Sequence, residues 1–160
     1  MSEENLEQEL DKYKSNIDPE NKLTLEWEKD LIFTARTNRG YEFDFDAKVE
    51  WGCMPTEGLL ASIAGCMAID MVMFLTKMRC EIASYKMQIT GTRNPTPPQY
   101  YTGVNLHLII SGLNITEKKM ERAVNLSKDK YCSVYHTLRP DLEHTVTWEI
   151  TEETPKPKED

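Results

Sequence analysis

Two of the four cysteines stand where a thiol could be made to react: Cys66 and Cys132. Cys66 follows Gly65 inside an apolar run, and Cys132 precedes Ser133 where one helical pattern stops and another begins. A small neighbour lets another backbone or a small substrate come close. The nucleophile is the thiolate, and a thiol inside an apolar helix has a raised pKa and is inert unless a cation stands near. Cys66 therefore needs such a cation. Free N–H groups of the turn after Cys132 are expected to lower its pKa, and His136, one turn on, is placed to assist. Asp70 lies one turn from Cys66 on the same face; it opposes thiolate formation unless it is paired, and it could hold a cation or bond a backbone group at a subunit interface.

Other candidates have plainer readings beside them. Glu57 is nine residues before Cys66, about half-way round an ideal helix, so the two meet only if Glu57 lies in the opening turn or the chain bends at Gly58. Its plain role is a first-turn acid that complements the helix dipole. A zinc site would take two corners from Cys132 and His136 and the rest from Cys53 and Cys66. No compact ligand pair supports it, and no metal or cofactor is expected. Cys53 and Cys80 read first as small buried apolar side chains. His107 and His144 fall in strand patterns and read as structural or exposed, and the acidic row Glu42, Asp44 and Asp46 reads as a solvated strand face.

The element that must position these groups is the run from Pro55 to Lys77, whose only ionisable side chains between Gly58 and Thr76 are Cys66 and Asp70. It predicts one helix over about residues 56–79, capped by Thr56 and closed by Lys77 and Arg79. Such a helix is roughly 35 Å long and apolar all round, so it asks to be buried all round. A membrane span is disfavoured: Asp70 falls mid-run, where a charge is costly, and the rest of the chain is hydrophilic. A core helix wrapped by sheet or by a second copy fits better, and a chain of 160 residues has little interior for it, which favours a homodimer. A net charge of −8 and a pI near 5.0 argue against nucleic acid or an anionic membrane as partner. No targeting pattern opens the chain, so the expected location is cytoplasmic. The cysteines show no C-x-x-C pair and are no disulfide framework for a reducing compartment.

Around that helix the pattern reads as strands. Leu23, Leu25 and Trp27 alternate with polar residues, as do Tyr41, Phe43 and Phe45, with Leu31–Ala35 between them and a turn at 37–40. Further strands follow around Tyr85–Thr90, Val104–Ile110 and Val146–Ile150. Thr116 caps a second helix over about 117–131, and 133–139 is a short helical piece. The order β-β-β-α-β-β-α-β predicts an α+β fold, with antiparallel sheet packed on a long central helix and a second helix. Residues 1–20 read as an N-terminal extension, helical around 3–15 through Leu6, Leu10 and Tyr13. Residues 21–152 read as one domain, and 153–160 as a disordered tail.

Two motifs then carry a resemblance. Met54-Pro-Thr-Glu-Gly-Leu-Leu-Ala-Ser-Ile-Ala-Gly-Cys-Met-Ala-Ile-Asp70 resembles the Pro-x-Glu-Leu-Leu…Gly-Cys signature of the OsmC/Ohr family. Lys130-Tyr-Cys-Ser-Val134, preceded by Ala123-Val-x-Leu-Ser127, resembles that family's second cysteine motif. The wording of both is nearest to the YhfA-like subgroup, and the match in element order spans about residues 22–152. The resemblance implies an intertwined α+β homodimer with sites at the subunit interface. It implies a thiol peroxidase that reduces organic hydroperoxides in oxidative stress defence, with Cys66 peroxidatic and Cys132 resolving, and an external dithiol, often a lipoylated protein, as reductant. Glu57 falls at the position that orients a catalytic arginine. The family's arginine position aligns near Lys29, so the candidates are Arg39, which is carried here, and Arg36, either reaching over a neighbouring subunit's helix. The alternative is the same dimer without peroxidase activity, holding a hydrophobic small molecule or partner in its interface groove.

Overall fold

The computed structural model describes residues 19–152; the expected N-terminal helix and C-terminal tail lie outside them. The chain divides into two compact units, one ending at Leu59 and one beginning at Leu60. In the first, β1 (Leu23–Lys29), β2 (Ile32–Thr37) and β3 (Glu42–Asp46) form an antiparallel sheet in sequence order. Phe33 lies opposite both Trp27 and Phe45. The β2–β3 turn closes through Gly40 at φ +85°, a conformation open to glycine because it has no Cβ. The expected half-buried β1 is not found: every residue of β1 is exposed, Trp27 at 67 %. A strand's apolar face is buried only when another layer covers it.

The acidic row also departs from expectation. Asp46 is 2 % exposed, and its carboxylate accepts N–H bonds from Lys48 at 2.8 Å, Glu50 at 3.0 Å and Trp51 at 3.2 Å. It is the peg around which the loop after β3 is wound. Gly52 is required there, since a Cβ would stand 2.4 Å from the Asp44 carbonyl oxygen. The loop delivers the chain to α1 (Pro55–Lys77). Pro55 takes the first helical position, where its missing N–H costs nothing, so Thr56 lies inside the first turn.

The second unit holds most of α1, then β4 (Glu81–Arg93), β5 (Tyr101–Leu113), α2 (Glu117–Leu126), a π-helical turn (Ser127–Tyr131), α3 (Ser133–Thr137) and β6 (Glu143–Thr151). α1 ends in a left-handed residue, Arg79 at φ +59°, with Cys80 N–H bonded back to the Leu75 carbonyl at 2.9 Å; that geometry satisfies carbonyls a helix end would otherwise leave open. The sheet order is β4-β5-β6. β4 and β5 are antiparallel, but β6 runs parallel to β5, where an antiparallel sheet throughout was expected. The connection from β5 to β6 carries helices and is long enough for a parallel crossover, which a hairpin is not. Leu106, Leu108 and Ile110 of the central strand are buried with Met67, Met71 and Phe74 of α1 and Met120 and Ala123 of α2. Thr116 caps α2 as expected, its hydroxyl accepting from Lys119 N–H at 3.4 Å. α1 is not buried all round: Ile63, Met67, Asp70, Met71, Phe74 and Leu75 are inside, while Ile69 is 63 % and Val72 41 % exposed.

The Asp46 peg sets a pH dependence. Donation from Lys48 N–H, then from Glu50 and Trp51, outweighs burial and holds the carboxyl below its ordinary range. Its stabilisation is therefore present above the unfolded value of about 3.9 and lost as pH falls through the lower folded value. Asp46→Asn should lower the melting temperature at neutral pH, and the gap to wild type should close on acidification below about pH 4. A gap that stays constant over that range would contradict this role.

Candidate active site

The site is built in the second unit from three side chains on two elements. Cys66 and Asp70 are four residues apart on α1 and so share a face. Cys132 follows the π-helical turn, whose Cys132 N–H bonds the Ser127 carbonyl at 2.8 Å. Single π turns inside helices recur at functional sites. This one ends the regular helix at Leu126, short of the expected 131, and turns Cys132 inward. The two sulfurs and a carboxylate oxygen of Asp70 all lie within 4.8 Å of one another. Asp70 and Cys132 are fully buried, and Cys66 is half-buried. Ser127, at the start of the π turn and also fully buried, donates its hydroxyl to Asp70 Oδ2 at 2.8 Å. One turn further along α1, Phe74 meets Tyr131 edge to face with centroids 5.3 Å apart.

The electrostatics separate the two thiols. Burial pushes the Cys132 thiol up to about 12, helped by the hydrogen bond it makes to Cys66 and by the charge of Asp70. The N–H of Tyr135, in the turn after Cys132, pulls the other way, as the sequence led one to expect, but burial outweighs it. Cys132 thus holds its proton and offers it to the Cys66 sulfur. His136 does not assist: it is exposed and packs edge-on against Tyr135.

Of the remaining candidates, Glu57, Arg36 and Arg39 belong to the first unit. Glu57 caps its own helix, its carboxylate accepting Met54 N–H at 2.8 Å, the return half of a capping box. Arg36 is held by Glu42 at 2.5 Å and Glu26 at 3.5 Å. Arg39 is exposed in the β2–β3 turn, with no ion pair among the described residues. The other two cysteines face carbonyls: Cys80 Sγ meets the Asn114 oxygen at 3.2 Å and Cys53 Sγ the Asp44 oxygen at 4.0 Å. His107 pairs with Thr147 at 2.8 Å, and His144 with the Tyr135 hydroxyl. Among the described residues the set that could hold a metal is Cys66, Asp70 and Cys132, not the combination with Cys53 and His136. Asp70 is the residue whose place in the site the sequence left open; its i, i+4 spacing from Cys66 was the available signal.

Residues 46–147 match the model of the family described as OsmC-like protein. Protein YhfA of Escherichia coli K12 is 31 % identical over 127 residues, covering 79 % of this chain and 95 % of that one. The crystal structure of a hypothetical protein from Aquifex aeolicus superposes with a TM-score of 0.77 at 31 % identity, covering 85 % of this chain and 99 % of that one. An organic hydroperoxide resistance protein from Legionella pneumophila shares the fold alone, with a TM-score of 0.60 at 14 % identity over 84 % of this chain and 98 % of that one.

The proton on Cys132 gives a direct test. Alkylation of Cys132, followed by peptide mass spectrometry, should be slower than that of Cys66. Its rate should keep climbing about tenfold per pH unit through pH 10, beyond the ordinary cysteine value of about 8.5. A Cys132 profile that levels off near pH 9 would refute the assignment.

Proposed function

The chain belongs to the OsmC-like family, and from that premise we propose that it is a thiol peroxidase reducing organic hydroperoxides to alcohols. The observation that carries this reading is the pairing of a half-buried Cys66 with a buried, protonated Cys132 inside a 4.8 Å envelope. The Cys66 thiolate attacks the terminal peroxide oxygen; the O–O bond breaks and the alkoxide takes a proton and leaves as alcohol. Cys66 is then a sulfenic acid, oxidised by two electrons. Cys132 gives up its proton and attacks the Cys66 sulfur; the S–S bond forms and water leaves. An external dithiol, such as a lipoylated protein, returns both thiols. A Cβ on Gly65 would meet nothing within 4 Å, which leaves room beside Cys66 for a substrate or a second copy.

Cys66 still needs a cation. Arg36 already serves two carboxylates, so Arg39 is the arginine of the hairpin we assign to this role, reaching Cys66 from a neighbouring subunit, with Glu57 orienting it. The exposed Trp27, Ile69 and Val72 support a homodimer, since a second copy would cover apolar surface worth about 25 cal/mol per Å² buried. We place the protein in the cytoplasm, in oxidative stress defence. The same exposed apolar residues also favour a second reading, a dimer that holds a hydrophobic small molecule and has no peroxidase activity.

Peroxide consumption with a dithiol reductant separates the two. Wild type should turn over cumene hydroperoxide faster than hydrogen peroxide, and Cys66→Ser should fall to background. Cys132→Ser should form sulfenic acid once and stall, and Arg39→Ala should lose about 10²–10³-fold in rate, the usual cost of one stabilising charge. Inactivity of the reduced, intact wild-type dimer would overturn the peroxidase reading in favour of the ligand-binding one.

A further inference from the structure

Cys66, Asp70 and Cys132 together offer more than a thiol pair. We propose that in the reduced protein they bind a thiophilic divalent cation of the Zn2+ class, and that this metal and the Cys66–Cys132 disulfide exclude one another. The inference stands on the ligand geometry and does not require the protein to be a peroxidase.

The donor set converges from two elements. α1 presents a thiol and a carboxylate at i, i+4, the spacing that puts two metal ligands on one helix face, and the chain after the π turn brings a second thiol. Their donor atoms lie within 4.8 Å of one another. A tetrahedral zinc site, with Zn–S near 2.3 Å and Zn–O near 2.0–2.2 Å, places its ligand atoms roughly 3.5–3.8 Å apart. Closing the remaining gap of up to about 1 Å is a smaller movement than forming a disulfide between the same sulfurs, whose S–S bond is about 2.05 Å. Two sulfurs select Zn2+ over Mg2+ or Ca2+, which prefer all-oxygen sites.

The surroundings suit a metal centre. Ser127 Oγ bonds Asp70 Oδ2 at 2.8 Å, fixing the carboxylate; ligands held in this way by a second group are the rule in metal sites. Asp70 and Cys132 are fully buried, whereas Cys66 is half-buried beside open space at Gly65. Three ligands from the chain and one accessible position are the pattern of zinc sites that keep a water or exchange a ligand. Binding replaces the thiol protons by the cation. Oxidation removes two electrons from the two sulfurs, joins them and leaves the metal a single carboxylate, so the cation is released.

Cobalt is a convenient probe. Co2+ titrated into the reduced whole chain should bind once per chain with sulfur-to-cobalt absorption, and Zn2+ should displace it. Oxidation of the dithiol by diamide should abolish binding, as should Cys66→Ser and Cys132→Ser. Asp70→Asn should weaken it by about 10–100-fold and Ser127→Ala by about tenfold. If Asp70→Asn does not fold, Ser127→Ala and diamide treatment still decide. Absence of sulfur-to-cobalt absorption, binding that survives diamide, or affinity unchanged in the folded variants would overturn the proposal.

Discussion

The hydrogen bond from Ser127 to Asp70 is the constraint on which the second unit depends. A carboxylate removed from water is costly unless hydrogen bonds or charges answer it. Asp70 is fully buried in the middle of the longest helix and Ser127 meets it at 2.8 Å. That bond fixes which residue of the α2 segment faces which turn of α1. Sliding the segment by one residue would turn Ser127 away and leave a buried oxygen without this donor, a loss of about 1–3 kcal/mol. The same serine supplies the carbonyl that Cys132 N–H bonds at 2.8 Å. One residue thus holds both the acid and the second thiol, and the distance between the sulfurs follows from it.

The resulting electrostatics are those of a site with more negative charge available than it can carry at once. Burial, with Cys66 and Asp70 within 4.8 Å, raises the cost of ionising Cys132. Keeping the proton on Cys132 relieves the crowding. A positive group brought to the open side relieves it further. A guanidinium and a divalent cation are both answers to that need, but they differ in consequence. The guanidinium leaves the sulfur lone pairs free to attack, whereas a metal occupies them.

Much of this was legible in the sequence where local physics decides. Alternation marked the strands, Thr116 marked the start of α2, and the run from Pro55 to Lys77 could only be one long helix. The pairing of Cys66 with Cys132 came from motif resemblance, because sixty-odd residues of intervening fold have no local signature. Tertiary terms defeated the rest. Asp46 looked like one of a solvated row, but three backbone N–H groups that only the folded loop supplies draw it inside. The Cys132 pKa was read from the nearest dipoles, and burial reversed its direction. The π turn is invisible to a 3.6-residue period, and the parallel pairing of β6 depends on a crossover, not on the composition of the strand.

The exposed side of α1 joins sequence to assembly. The helix is long and apolar enough to cross a membrane by length and composition alone, and only 33 % of its most apolar window is buried. Yet its inward face carries Asp70 bonded to a serine 57 residues away in sequence, an arrangement that serves a packed protein interior. Ile69 and Val72 point outward on the helix that carries the reactive thiol. Covering them and shielding Cys66 are then one physical event: whatever layer excludes water from the apolar face also lowers the dielectric around the sulfur. That strengthens every charge acting on it but also disfavours the bare thiolate, so burial of this face makes Cys66 reactive only where a positive group is brought in with the covering layer.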